Sequence, residues 1–280
     1  MKSDLFYLSF FLFFALDLSS ANLKKFTFNE WSKPDLDVFY HLPSEIDKDT
    51  KILFVIHGNS RNADDYLKTW IKLAEDKNIA IFAPHFKRTS FISFNTLQMS
   101  TSSGLIRNDT NLYLHNSVDD LFKYIKSKFE LSQEFYDIYG HSAGAQFVHR
   151  YLLMSDNPKV NKAIAANAGW YTFLDGSNFP YGLSNPPINL NSSNVRNFLK
   201  IDFHVLIGSA DTDITSSVNQ SKGANNQGLN RFQRANNFFN YTKMIVDQNN
   251  LEFNWSFQIV KGVAHSNTKM SRAAVEILLN

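Results

Sequence analysis

Two rhythms of apolar residues alternate along this chain. Nearly continuous apolar runs recur at "KILFVIH" (51–57), "IAIFAP" (79–84), "KAIAANA" (162–168), "DFHVLIG" (202–208) and "FNWSFQIV" (253–260). Runs of this length suit strands buried on both faces of a sheet. Between them, apolar residues return every three or four positions: Tyr66, Trp70, Leu73 and Ala74 within 63–76, and Val118, Leu121, Phe122 and Ile125 within 116–129. That spacing predicts helices, as do 143–154, 230–248 and "SRAAVEILL" (271–279). "FTFNEW", "LDVFYHL" and 136–139 read as further strands. Strands alternating with helices predict an α/β fold, a mainly parallel central sheet with helices on both faces. Two stretches lack a period: 88–107, rich in Ser and Thr, and 169–197, rich in Trp, Tyr, Phe, Pro, Gly and Asn. Neither a repeat nor a linker divides the chain, so 22–280 is expected to form one domain.

The first residues follow another pattern. Lys2 precedes the apolar stretch "LFYLSFFLFFAL" (5–16), and "DLSSAN" then brings small residues at Ser19 and Ala21. This layout predicts a signal peptide over 1–21, cleaved before Asn22, and hence export to a periplasm or beyond. An uncleaved anchor is the competing reading, although the run is short of the roughly 20 apolar residues a span needs. After cleavage no stable membrane partner is expected. The chain has 280 residues and a net charge of only +2, with no basic run interleaved with aromatics, so no nucleic-acid partner is expected. Cysteine is absent, which excludes disulfides, cysteine nucleophiles and thiolate metal sites. No H-E-x-x-H, P-loop or G-x-G-x-x-G after the first strand occurs, so neither a metal nor a nucleotide cofactor is implied.

In parallel sheets reactive groups gather beyond the carboxyl ends of the strands. Here four such ends carry matching chemistry. "KILFVIH" leads into Gly58-Asn59, the strand through Tyr139 ends in "GHSAG" (140–144), "DFHVLIG" ends before Ser209-Ala210-Asp211, and the last strand is followed by "KGVAHS" with His265. A serine hydroxyl attacks well only when a base takes its proton, an imidazole can do that near neutral pH, and a carboxylate can orient the imidazole. Ser142, His265 and Asp211 are therefore the expected nucleophile, base and acid, with Asp213 in "ADTD" competing for the acid's place. His57 and His141 read as packing or supporting residues. The backbone N–H groups of Ala143 and Asn59 are the expected oxyanion donors.

The order of oxyanion loop, serine, aspartate and histidine, together with "HGNSRNADDY", "GHSAGAQFVHR", "ANAGWYT" and "QGLNRFQRANNFF", resembles the α/β-hydrolase superfamily. Within it the chain is most similar to exported serine esterases of the polyhydroxybutyrate-depolymerase and feruloyl-esterase type. The resemblance implies a cofactor-independent serine hydrolase that cleaves a small-molecule or polymeric carboxylic ester through an acyl-enzyme. An amide or peptide hydrolase with the same triad, and a binding protein without activity, are the alternatives. It also implies a lid or cleft wall at 169–190, where Trp170, Tyr171 and Phe179 would bind the substrate. Surface-loop packing is the competing role for those rings. Arg231 reads as the solvated start of its helix, with an anionic substrate group as the competing partner. One departure stands out: depolymerase-type enzymes often carry cysteines near the site, and this chain has none.

Overall fold

The structure, a computed structural model, describes residues 23–215 and 217–279. The signal peptide expected over 1–21 and its cleavage point lie outside the described residues. The elements run β1 (Lys24–Phe28), β2 (Leu36–His41), β3 (Lys51–Ile56), α1 (Ala63–Leu73), β4 (Ile79–His85), α2 (Ser117–Lys128), β5 (Tyr136–His141) and α3 (Ala143–Met154). There follow β6 (Val160–Ala166), α4 (Ser192–Lys200), β7 (Asp202–Gly208), the single turn α5 (Lys222–Asn225), α6 (Arg231–Asn249), β8 (Trp255–Val260) and α7 (Asn267–Leu278).

All eight strands join one sheet in the order β1-β2-β4-β3-β5-β6-β7-β8. β2 pairs antiparallel with both β1 and β4, and every other pairing is parallel. The two-residue period of the strands sorts their side chains into two apolar layers. Ile52, Phe54 and Ile56 of β3 face one layer, which includes Phe122, Phe147, Tyr151, Phe198 and Phe238 from α2, α3, α4 and α6. Leu53 and Val55 face the other, with Trp70 of α1 and Met270 of α7. Continuous apolar runs follow from this, because both faces of each central strand are covered.

Helix α3 is buried along its whole length, including the polar His149 and Arg150. Such a helix lies in the core of the molecule rather than on its surface. His149 is accommodated as a neutral ring: Nδ1–H donates to Ala145 O at 3.0 Å and Nε2 accepts from the N–H of Thr172 at 3.0 Å. The structure differs from expectation at α4, which begins inside the stretch read as aperiodic. Its sequence signal is weak because only Phe198 and Leu199 are buried. Its start is set by a capping box between Asn191 and Asn194 rather than the commoner Ser/Thr…Glu pair.

Candidate active site

β5 runs out at His141, and Ser142 turns the chain into α3 with φ 59° and ψ −118°. A non-glycine residue at positive φ is strained and persists only where its surroundings hold it. Here Ser142 N–H donates to Ala166 O at 2.9 Å, and Ser142 O accepts from Gln146 N–H at 3.1 Å. The flanking glycines answer a steric demand. A Cβ on Gly144 would lie 2.1 Å from Ile56 O, and one on Gly140 would lie 2.3 Å from Gly144 O. The first turn of α3 therefore rests directly on the backbone of β3 and β5. Gly58 brings the loop after β3 against the same serine, since its Cβ would sit 3.5 Å from Ser142 Cβ.

Three side chains from three strand ends meet in one hydrogen-bonded line. Ser142 Oγ lies 2.9 Å from His265 Nε2, and His265 Nδ1 lies 2.7 Å from Asp211 Oδ2. A carboxylate can only accept, so Nδ1 carries the proton and Nε2 is left to accept from the serine hydroxyl. Asp213 turns away, bonding Thr215 N–H and Ser217 Oγ at the surface, so Asp211 is the carboxylate that meets the histidine. The histidine loop and the acid loop are tied to β6 by Asn167, whose Nδ2 donates to Ala264 O at 3.1 Å while its Oδ1 accepts from Gly208 N–H at 2.8 Å. Asn167 escaped the sequence reading because it looks like an ordinary residue in "KAIAANA".

Arg231 corrects an expectation. It is neither solvated nor open to a substrate anion. Its Nη1 lies 3.2 Å from Asp211 Oδ1, both side chains are buried, and Nη2 donates to Ser217 O at 2.8 Å. Each oxygen of the acid is thus engaged, one by His265 and one by a guanidinium from the start of α6. Removing one partner of a buried ion pair strands the other. Arg231→Met is expected to lower the unfolding free energy by about 3–5 kcal/mol, measured by urea denaturation. An unchanged midpoint would mean that His265 alone suffices to hold Asp211.

The other two histidines at the strand ends serve structure. His57 donates from Nδ1 to Gly58 O at 2.8 Å and accepts at Nε2 from Phe86 N–H at 3.0 Å, so both ring nitrogens are spent on shaping the loop after β3. Burial, with Arg61 and His85 nearby, pushes its pKa down to about 3. His141 bonds Tyr66 Oη at 3.0 Å through Nδ1, and its ring centroid lies 4.7 Å from that of His265. Burial, reinforced by His265 and Arg231, holds it well below the usual imidazole range.

Ala143 opens α3, so its N–H lies among the first-turn donors that no helical carbonyl reaches. Asn59 is exposed beside Gly58, its carbonyl accepting from Arg88 at 2.9 Å. The aromatic segment is turned inward. Trp170 covers the Arg150 guanidinium at 3.9 Å, Tyr171 stacks on Phe238 at 4.3 Å, and Phe179 is buried. These rings are spent on internal packing rather than presenting an open aromatic face. A cavity of about 510 Å³ lies in the same segment, lined by Phe173, Asp175, Tyr181 and Tyr241 among others, and includes none of Ser142, His265 and Asp211. Among the described residues no three His, Asp or Glu side chains cluster as a metal site.

No family model matches the chain, and the search of curated proteins finds no match. Solved structures do match. Poly(aspartic acid) hydrolase-1 from Sphingomonas sp. KT-1 shares 32% identity at a TM-score of 0.85, covering 92% of this chain and 98% of its own. The poly(3-hydroxybutyrate) depolymerase LpqC from Bordetella parapertussis shares 27% identity at a TM-score of 0.79, covering 87% and 83%. An IroE-like serine hydrolase from Shewanella oneidensis, at 10% identity and a TM-score of 0.58, covers 91% and 78% and shares the fold. The chain is thus a hydrolase of the α/β-hydrolase superfamily and belongs to the family of poly(aspartic acid) hydrolase-1, with poly(3-hydroxybutyrate) depolymerase among its relatives.

Proposed function

We propose that the protein is an exported serine hydrolase that cleaves carboxylic esters through an acyl-enzyme on Ser142. The observation that carries this reading is the unbroken line from Ser142 Oγ through His265 to Asp211, at 2.9 and 2.7 Å. His265 Nε2 takes the hydroxyl proton as Ser142 Oγ bonds to the acyl carbon, and Asp211 stabilises the imidazolium that results. The N–H groups of Ala143 and Asn59 receive the negative oxygen of the tetrahedral intermediate. The C–O bond to the alcohol then breaks, and His265 returns the proton to the leaving oxygen. Water, deprotonated by the same nitrogen, releases the acid and restores Ser142. Trp170, Tyr171 and Phe179 support the cleft wall at 169–197. Export rests on the stretch "LFYLSFFLFFAL" behind Lys2. In keeping with it, no helix among the described residues is long and apolar enough to cross a membrane.

Amide hydrolysis is a second reading, favoured by the 32% identity to an enzyme named for poly(aspartic acid). The same line of groups serves it, with His265 protonating an amine instead of an alcohol. The test offers the purified protein p-nitrophenyl esters from acetate to palmitate, beside poly(aspartic acid) and p-nitroanilides, with fluorophosphonate labelling in parallel. Ester turnover together with labelling is the expected result. Turnover of amides alone would move the assignment to the second reading. A folded protein that neither turns over nor labels would sink both and leave a binding protein.

A further inference from the structure

Helix α3 carries more than the serine at its start. Gln146 and Arg150 follow Ser142 at intervals of four, so the three share one face of the helix. Arg150 sets the frame for this face. Its Nη1 donates to Asn95 O at 2.9 Å and to Gln146 O at 3.1 Å, and its Nε donates to Thr172 Oγ1 at 3.0 Å. Asn95 then orients the Gln146 side chain, because Asn95 Nδ2 donates to Gln146 Oε1 at 2.9 Å.

The carbonyl half of the Gln146 amide is thereby consumed and the NH2 half is not. Gln146 Nε2 donates to no group among the described residues, although the side chain is only 7% exposed. It occupies the slot left by a missing side chain, 2.5 Å from where a Cβ on Gly169 would be. Gly169 lies just beyond the end of β6, whose Ala166 O holds the Ser142 backbone, so the slot opens on the serine's edge of the sheet. Nε2 is not among the fully enclosed unpaired atoms, so an acceptor entering the slot can reach it. The nearby charge favours an acceptor as well, since every hydrogen-bond partner of Arg150 is a neutral oxygen and only the Trp170 ring face lies over its charge.

We infer that Gln146 is a substrate-recognition residue, whose Nε2 donates a hydrogen bond to a carbonyl-type oxygen carried by the substrate close to the reacting carbonyl. This rests on the reading of Ser142 as the nucleophile and adds a specificity determinant to it. Such an oxygen has two sources: the ester or amide carbonyl of a neighbouring unit in a polymer, or a free carboxylate on a small acyl group. Both present the same acceptor to the same nitrogen.

The test uses three fluorophosphonates of matched chain length, ending in a methyl group, a methyl ester or a carboxylate. In each reaction Ser142 Oγ bonds to phosphorus and fluoride leaves, so no turnover is needed, and labelling is read by intact-protein mass spectrometry. The wild type is expected to label faster with an oxygen-bearing probe than with the methyl probe. Gln146→Leu is expected to reduce that preference about tenfold, the worth of one hydrogen bond to a substrate. Asn95→Ala, which frees the amide without removing it, is expected to reduce it in the same direction and guards against a Leu variant that fails to fold. Preference for the ester probe alone points to a polymer unit, and preference for the carboxylate alone points to an acidic acyl group. An unchanged ratio in folded variants, or no wild-type preference, overturns the inference while leaving the nucleophile intact. A folded wild type that labels with none of the three probes removes the nucleophile and this inference with it.

Discussion

Ser142→Ala is expected to cut ester turnover by roughly 10⁴-fold or more while leaving the fold in place. The large effect follows from what one oxygen does in the line described above. Without Oγ no acyl-enzyme forms, and His265 has no hydroxyl to deprotonate. What remains is the binding of substrate and the stabilisation of an oxyanion by backbone N–H groups, which give only a modest acceleration over water. The backbone strain at φ 59° is common to serine and alanine, so the variant should melt near the wild type. The check is kcat on a p-nitrophenyl ester beside a thermal melt of each protein. Turnover within tenfold of the wild type in a folded variant would remove Ser142 from the chemistry.

The second large effect concerns acid. His57, His141 and His149 are fully enclosed, and burial disfavours their charged forms; His57 is pushed down to about 3 and the other two well below the ordinary value. The unfolded chain, with imidazoles near 6.5, binds three protons that the folded protein refuses. The stabilisation is therefore whole above about pH 6.5 and is lost as the pH falls below it. Between pH 7 and pH 5 His57 should cost about 2 kcal/mol, and His141 and His149 act in the same direction. That is an appreciable part of the ~5–15 kcal/mol by which domains are stable. Asp37 adds little in this window: it is held at about 2 because, against the opposing cost of burial, hydrogen bonds from Lys87, Lys25 and Thr27 prevail. Urea denaturation at the two pH values reads the effect directly. Equal unfolding free energies would show that the rings take up protons without leaving their places.

The strands and the order of chemistry at their ends were legible because both are local signals. β7 matches "DFHVLIG" end to end, since an apolar run bounded by Asp202 and Gly208 declares its own limits. Ser142 announces itself through the glycines that its turn requires. The sequence favours Asp211 but leaves Asp213 as its competitor, because two carboxylates two residues apart differ only in which way the loop points them. Arg231 shows the harder case. An arginine at a helix start looks solvated, and only the folding of the loop between them brings it to Asp211, 20 residues earlier. The aromatic segment is a similar case. Composition marks Trp170 and Tyr171 as large rings in an irregular stretch, but their direction is set by Arg150 and Phe238 on other elements. Gln146 carried no signal of its own, since its meaning depends on Asn95 and on the bare backbone of Gly169.

The spacing of Ser142, Asp211 and His265 along the chain has a consequence for folding. His265 stands 54 residues from Asp211 and 123 from Ser142. Contacts of such long range close only after the intervening chain has paid its loop entropy, and the acid also waits on the docking of α6 through Arg231. Recovered activity during refolding is thus a reporter of the last-assembled part of the molecule, and should lag behind the return of helix signal. Any fragment ending before β8 lacks the base altogether. Two complementary fragments, cut in the exposed loop at 213–215, would regain turnover only by rebuilding the carboxyl edge of the sheet between them.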